Sequence, residues 1–430
     1  MDNLKANMDS YHLFRYDDKK LNIGMLCEYF GKCGSCTLYG LSYDEQKEFK
    51  LKDAKELFAP LWSGEFEWHS SQTGHYRTRA EFMIWHDGDD ISYAMHKLKN
   101  IKESAPMLDA SFPKPHVRND LTQQGGIIGA PQNQIDKIGK LPIANCPKVD
   151  KKIADLMPRL LAFIKNSEIL RQKLFGIEFL SSRDEVLATL LYHKKLDEAW
   201  QDEARGLCAL GIKVVGRSRG VKINISEDFV RETLHINDKE FKYIVYDTSF
   251  SQPNRGVNEQ MISWVLGKIS SAKRADLLEL YCGHGNFTLP LSFLFEKVLA
   301  TEISKSSIHA AKENCALNEA HNITFARLSA QEFVSAYNRE REFKRLADIE
   351  LGSYNFSHLL MDPPRAGLDE HSLRLASDFK NIIYISCNPK TLFDDLTKLT
   401  ATHKITSFAL FDQFPYTHHI ESGVILERIV

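Results

Sequence analysis

The sequence predicts an α/β protein: a C-terminal, doubly wound and mostly parallel sheet, a central α+β region and a small cysteine-rich N-terminal segment. Three observations carry this. From about residue 249 onward, short apolar runs alternate with helical stretches, the pattern that packs helices on both faces of a parallel sheet. The last two apolar runs are joined only by "DQFPYTHHI", too short for a crossover helix, so that pair is antiparallel. Before residue 249 strand-like and helical runs are mixed, with no repeat at a period of roughly 20–50 residues.

In chain order, residues 1–60 hold three closely spaced cysteines and then a Lys/Glu-rich helix, "YDEQKEFKLKDAKELFAPLW". Residues 61–248 contain the strand-like "AEFMIW", "VLATLLYH" and "GIKVVGR" beside the helical "KKIADLMPRLLAFIKN" and "DEAWQDEARGLCAL". Residues 249–430 supply seven strands: "ADLLELYC", "KVLATEI", "ITFARL", "SHLLMD", "NIIYIS", "ITSFALF" and "ESGVILERI".

Composition narrows the class. With 430 residues, 43% hydrophobic and 26% charged, the chain suits two or three globular domains. A polar N-terminus and the lack of any membrane-length apolar run predict neither signal peptide nor transmembrane helix. Eight cysteines in this length make no disulfide scaffold and point to a reducing cytoplasm. The net charge of -2 argues against a nucleic-acid partner overall, yet Lys213, Arg217 and Arg219, and separately Lys97, Lys99 and Lys102, form local basic patches that suit phosphate.

Chemistry gathers in the C-terminal region. Cys387 follows the buried strand "IIYIS" and precedes Asn388, a good N-cap, and Pro389, suited to a first helical position. A cysteine there is either a small core residue or a thiolate favoured by a helix N-terminus at the ligand-binding edge of the sheet. "LLELYCGHGNF" places Gly283 and Gly285 in a tight strand-to-helix turn, and Glu302 stands 19 positions after Gly283 at the end of the next strand, able to bond ribose hydroxyls. Thr288 stands where a dinucleotide fingerprint needs a third glycine, so S-adenosylmethionine, which has no pyrophosphate, fits better than NAD. Asp362 ends the strand of "HLLMDPPRAGLD" at the same edge, stiffened by two prolines. A thiol beside a methyl donor suits carbon 5 of a pyrimidine: thiolate addition at carbon 6 activates carbon 5, and a base then removes its proton so that the thiol leaves. Glu421 in "YTHHIESGVIL" is the candidate base, with His418 and His419 as alternatives.

"FSQPN", "LELYCGHGNF", "DPPRAGLD", "SCNPKTL" and "FDQFPYTHHIESGV" together resemble the RNA uracil-5-methyltransferases, and the likeness is greatest to the branch that makes ribothymidine in the tRNA T-loop (m5U54). The resemblance implies a Rossmann-like methyltransferase domain with Cys387 as nucleophile and Glu421 as proton acceptor. It further implies Gln252, Tyr281, Asn286, Glu302 and Asp362 as S-adenosylmethionine contacts, Phe250 stacked on the flipped uracil, and Arg77, Phe175 and His193 on the T-arm. Neither a membrane nor an obligate protein partner is implied.

"LCEYFGKCGSC" (Cys27, Cys33, Cys36), with distant Cys146, instead resembles the iron-sulfur segment of the sister enzymes that methylate 23S rRNA. Four thiolates suit a 4Fe-4S cluster or a structural zinc. A 23S rRNA substrate is therefore the first alternative, and a noncatalytic metal-stabilised RNA-binding protein the more remote one. A cytosine-5 enzyme is disfavoured, because Arg365 follows Asp-Pro-Pro where a second cysteine in a Pro-Cys motif is usual.

Overall fold

A capping box opens the first helix, α1 (Tyr43–Phe58): Ser42 Oγ accepts from Glu45 N and the Glu45 carboxylate accepts from Ser42 N, satisfying two donors that the helix end leaves free. Its buried residues, Gln46, Lys50, Ala54 and Phe58, recur every fourth position and form one stripe. The structure is a computed structural model that describes residues 27–98, 139–269 and 274–429. After α1 a short strand, β1 (Glu67–His69), pairs in parallel with the distant segment His403–Phe411.

The central region is a seven-stranded sheet. Its strands are β2 (Arg79–Asp87), β3 (Asp90–His96), β4 (Lys140–Ile143), β5 (Leu174–Ser181), β6 (Val186–Tyr192), β7 (Lys213–Ser218) and β8 (Val221–Asn224), in the order β4-β3-β2-β5-β6-β7-β8. Only β6 and β7 run parallel. Helix α2 (Lys151–Lys165) lays Ile153, Leu156, Met157, Leu160 and Ile164 on this sheet, each fully buried aliphatic contributing about 1.5–3 kcal/mol. A hairpin follows, β9 (Phe229–Ile236) and β10 (Lys239–Tyr246), turning at Asn237 with φ 52°, a conformation asparagine tolerates. Val230, Leu234, Phe241 and Tyr243 of the hairpin share one core with Leu180 and Leu187 of the central sheet and with Met261, Ile262 and Val265 of α3 (Arg255–Lys268).

The C-terminal region is the expected doubly wound sheet. Its strands are β11 (Asp276–Leu280), β12 (Val298–Thr301), β13 (Ile323–Ala326), β14 (Phe356–Met361), β15 (Asn381–Ser386), β16 (His403–Phe411) and β17 (Glu421–Arg428), in the order β1-β16-β17-β15-β14-β11-β12-β13. β11 to β15 are mutually parallel, and β17 runs antiparallel to both β15 and β16. Each of the seven apolar runs becomes one strand. Ala54 and Phe58 of α1 lie in the core on one face of this sheet with Leu278, Leu359 and Phe408, while α3 covers the other face. Among the described residues no helix is long and apolar enough to cross a membrane.

One expectation is corrected. Lys213 pairs with Glu185 and Glu227, Arg217 with Glu178 and Asp247, and Lys222 with Asp228 and Asp247, so this stretch is largely neutralised rather than a free basic patch. Glu178 comes from β5 and the other acids from the turns before β6, before β9 and after β10, which a count within the stretch misses. Lys99 and Lys102 lie outside the described residues.

Candidate active site

Antiparallel register brings the two proposed reacting residues together. β15 and β17 pair Ser386 with Ser422, so continuing the ladder by one residue sets Cys387 opposite Glu421. Cys387 leaves the strand directly before a helix, α4 (Pro389–Leu399), whose N-cap Asn388 accepts from Lys390 N at 3.2 Å. Parallel β14 ends alongside, delivering Asp362 to the same edge.

Electrostatics show how tightly these groups are coupled. Burial pushes the Cys387 thiol up to about 12, the Glu421 and Asp362 carboxylates push the same way, and Arg365 opposes them. Glu421, 4% exposed, is raised to about 8, chiefly by burial and then by Asp362, again against Arg365. Burial raises Asp362 to about 7. Three acidic groups thus share one low-dielectric edge with the exposed Arg365 guanidinium nearby. Arg365 is the functional candidate that sequence reasoning passes over; its signal is its place directly after Asp-Pro-Pro. Of the alternative bases, burial lowers His418 and takes His419 down to about 4, and their rings lie against Phe49 and Phe414.

The candidate cofactor residues form a second group along the same edge. Tyr281, Gly283 and Gly285 all have positive φ (63°, 56° and 87°), so the chain after β11 makes a tight loop in which glycine costs least. Glu302 grips that loop: its carboxylate accepts from Gly283 N at 3.2 Å and from Ser304 N at 2.7 Å. Asn286 exchanges a 2.8 Å bond with Asn258 of α3. Gln252 and Asn286 line one small cavity with Thr78, Asn258 and His284, and Gln252 Oε1 accepts from Gln413 Nε2 at 3.0 Å. Phe250, 72% exposed, stands at the tip of a segment stapled by Arg79, which donates to the carbonyls of Tyr246, Asp247 and Ser249.

The remaining RNA candidates divide. Phe175 and His193 stack at 4.0 Å between centroids and 14° between planes. Arg77 lies elsewhere, its Nε donating to Arg79 O and its guanidinium 5.7 Å from the Phe414 ring centroid.

A family model described as tRNA (Uracil-5-)-methyltransferase matches residues 42–112 and 132–429. The chain belongs to this family. It is 47% identical over 407 residues to a tRNA/tmRNA (uracil-C(5))-methyltransferase of Sulfurovum sp. (strain NBC37-1), covering 94% of this chain and 100% of that one. The relative of the same description from Campylobacter concisus is 47% identical over 404 residues, 94% and 99% of the two chains, and that from Acinetobacter baumannii (strain ACICU) 46% over 392, 90% and 99%. The fold matches the crystal structure of a Pyrococcus abyssi tRNA (uracil-54, C5)-methyltransferase in complex with S-adenosyl-L-homocysteine, with TM-score 0.63, 20% identity and coverage of 91% of this chain and 85% of that one. For a member of the family, S-adenosylmethionine is the methyl donor.

Cys27, Cys33 and Cys36 lie near enough to Cys146 for the thiols to influence one another. Tyr29 Oη accepts from Ala144 N at 2.8 Å and Lys148 Nζ donates to Ser35 O at 3.1 Å, joining the Cys27–Cys36 loop to the segment of Cys146. Burial raises the Cys27 and Cys36 thiols, and the neighbouring cysteines add to both shifts. Among the described residues, however, no group of three or more His, Cys, Asp or Glu is spaced as ligands of one ion. The donor chemistry fits a metal; the spacing is not that of a formed site.

Proposed function

We propose that this chain methylates carbon 5 of a uridine in tRNA, that the target is the T-loop uridine, and that Cys387 and Glu421 carry the two ends of the reaction. The observation that carries the reading is the antiparallel register that sets Cys387 opposite Glu421, with Asp362 and Arg365 beside them, in a chain of this family. S-adenosylmethionine, when bound, supplies the methyl group. Cys387 gives up its thiol proton to solvent and adds to carbon 6 as the thiolate, forming an S–C bond and shifting the C5–C6 π electrons to carbon 5, which takes the methyl group. Glu421 then accepts the carbon 5 proton, the C5–C6 double bond returns and the C6–S bond breaks. Arg365 favours the thiolate, since an opposite charge beside an acid stabilises its ionised form. A cation held among these raised acids favours their ionised forms in the same way, which suits a sulfonium.

Gln252, Tyr281, Gly283, Asn286, Glu302 and Asp362 are the proposed cofactor contacts, Phe250 the stacking partner of the flipped base, and Arg77, Phe175 and His193 the T-arm contacts. The T-arm assignment draws support from the exposed Phe175–His193 stack, a platform for unpaired bases, and from relatives named for tRNA and tmRNA. The proposed divisions are 1–60, 61–248 and 249–430, with α1 and β1 packed onto the C-terminal sheet, and the reaction belongs in the cytoplasm with tRNA. Cys27, Cys33, Cys36 and Cys146 are proposed as ligands of a 4Fe-4S cluster on the chemistry of the donor set; anaerobically purified protein then carries iron and sulfide, both lost on Cys33→Ser, whereas stoichiometric zinc or no metal contradicts it. The substrate test is labelled-methyl transfer to a tRNA T-arm hairpin against a 23S rRNA hairpin. Preference for the T-arm is expected, and the reverse preference moves the enzyme to the rRNA branch.

A further inference from the structure

The connection between β16 and β17 ends at Glu421, and the N-terminal helix α1 grips it. Lys50 of α1 is 3% exposed. Its Nζ donates to Asp412 Oδ1 at 2.7 Å, to His419 O at 3.0 Å and to Phe414 O at 3.2 Å, which uses all three protons of an ammonium. Asp412 directly follows Phe411, the cross-strand partner of Glu421. His419 lies two residues before Glu421. One buried cation therefore ties both ends of the connection at the point where the ladder closes on the proposed base.

Packing alone does not account for a lysine here. The buried stripe of α1 is apolar at Ala54 and Phe58, where it meets the core, and polar at Gln46 and Lys50, where it meets the connection. Burying an ion pair is often no more stabilising than an apolar pair of similar volume. What the polar half supplies is geometry. Gln46 Oε1 accepts from Tyr416 N at 2.6 Å, and Tyr76 Oη donates to Pro415 O at 3.1 Å. The same connection reaches the proposed cofactor pocket through Gln413 and Gln252.

We propose that Lys50 is a positioning residue for the elimination step: by fixing both ends of the β16–β17 connection it holds the Glu421 carboxylate where it takes the carbon 5 proton after methyl transfer. The inference rests on the roles given above to Cys387 and Glu421. It leaves thiol attack and methyl transfer to the β14–β15 edge, which Lys50 does not touch. Loss of Lys50 therefore slows chiefly the last step: the C5–H proton stays in place, the C6–S bond does not break, and methylated RNA remains on Cys387.

The test uses the full chain, a tRNA T-arm hairpin and methyl-labelled S-adenosylmethionine in single turnovers, following label in RNA and label in the denaturation-resistant protein–RNA band. The variants are Lys50→Met with Asp412→Asn, which removes both buried charges, Lys50→Gln, and Glu421→Gln as reference. The expected result for the Lys50 variants is cofactor affinity and methyl transfer within about threefold of wild type, with adduct decay slowed about tenfold or more. A purely structural role lowers cofactor binding, methyl transfer and elimination together, and that outcome overturns the proposal, as does failure of both Lys50 variants to fold. If Glu421→Gln traps the adduct while folded Lys50 variants release product normally, Lys50 does not position the base. If Glu421→Gln itself traps nothing, the assignment of the base fails first.

Discussion

The catalytic edge and the central sheet place their functional candidates by opposite rules. At the catalytic edge, parallel strands all end on one side, so residues from separate motifs, Asp362 after β14 and Cys387 after β15, arrive together, and the antiparallel β17 starts there with Glu421. In the central sheet neighbouring strands mostly run in opposite directions, so strand ends fall on both sides. Phe175 near the start of β5 meets His193 just past β6 because Leu174 pairs with Tyr192. Arg77 precedes β2, whose Arg79 pairs with Leu180 at the far end of β5, which sets it about 20 Å along the strand from Phe175 at ~3.3 Å per residue. The candidate reacting groups are gathered by topology, whereas the proposed RNA contacts are spread over a surface that a folded hairpin spans and a single base does not.

That contrast is broken most severely at the catalytic edge. Cys387→Ala is expected to abolish turnover, by about 10⁴-fold or more, and to form no adduct, since the thiol of Cys282 after β11 is buried and held protonated by that burial; residual turnover above about one per cent of wild type in a labelled-methyl assay would sink the nucleophile assignment. Glu302→Ala removes the carboxylate that grips the Gly283 loop and that is proposed to bond the ribose. Titration should show S-adenosylmethionine binding weakened by about 1.5–3 kcal/mol, and unchanged affinity would move the ribose site elsewhere.

The central sheet should respond more mildly and only toward RNA. Phe175→Ala and His193→Ala are each expected to cost about 1–3 kcal/mol of T-arm affinity with cofactor binding intact, and the double variant less than the sum, because the rings stack on one another. An equal loss of cofactor affinity would erase the distinction between the two regions. Smallest of all is Arg217→Leu: with its guanidinium committed to Glu178 and Asp247, RNA affinity should stay within about twofold while chemical denaturation shows lower stability. A large loss of RNA affinity would restore the basic patch.

The same contrast explains what is legible in the chain. The run at β15, the N-cap Asn388 and Pro389 announce their structure locally, and so do the glycines after β11, because strand, turn and cap are short-range chemistry. β1 does not: three residues joining β16 from more than 300 positions away carry no periodicity of their own. Neither do the ion pairs of Arg217 and Lys222, whose partners stand on β5 and in the turns beside β9 and β10. Arg365 is visible as a motif residue, but its role depends on two carboxylates and a thiol that only folding assembles. Lys50 sits on a helix that reads as a solvated Lys/Glu face, and its burial becomes apparent only once Asp412 and two carbonyls stand opposite it.

The central claim is that Cys387 and Glu421 act in sequence on one uridine, and intact-mass analysis of Glu421→Gln mixed with a T-arm hairpin and S-adenosylmethionine tests it most directly. In wild type, decay of the adduct should accelerate as pH rises toward 8, because burial holds the Glu421 carboxyl protonated well above the usual carboxylate range and only the ionised form accepts a proton. In the Gln variant that acceleration should vanish, and a species with the mass of protein plus methylated RNA should accumulate and disappear when Cys387 is also changed to Ala. Free methylated RNA released at the wild-type rate, with no adduct at any pH between 6 and 9, would contradict the account.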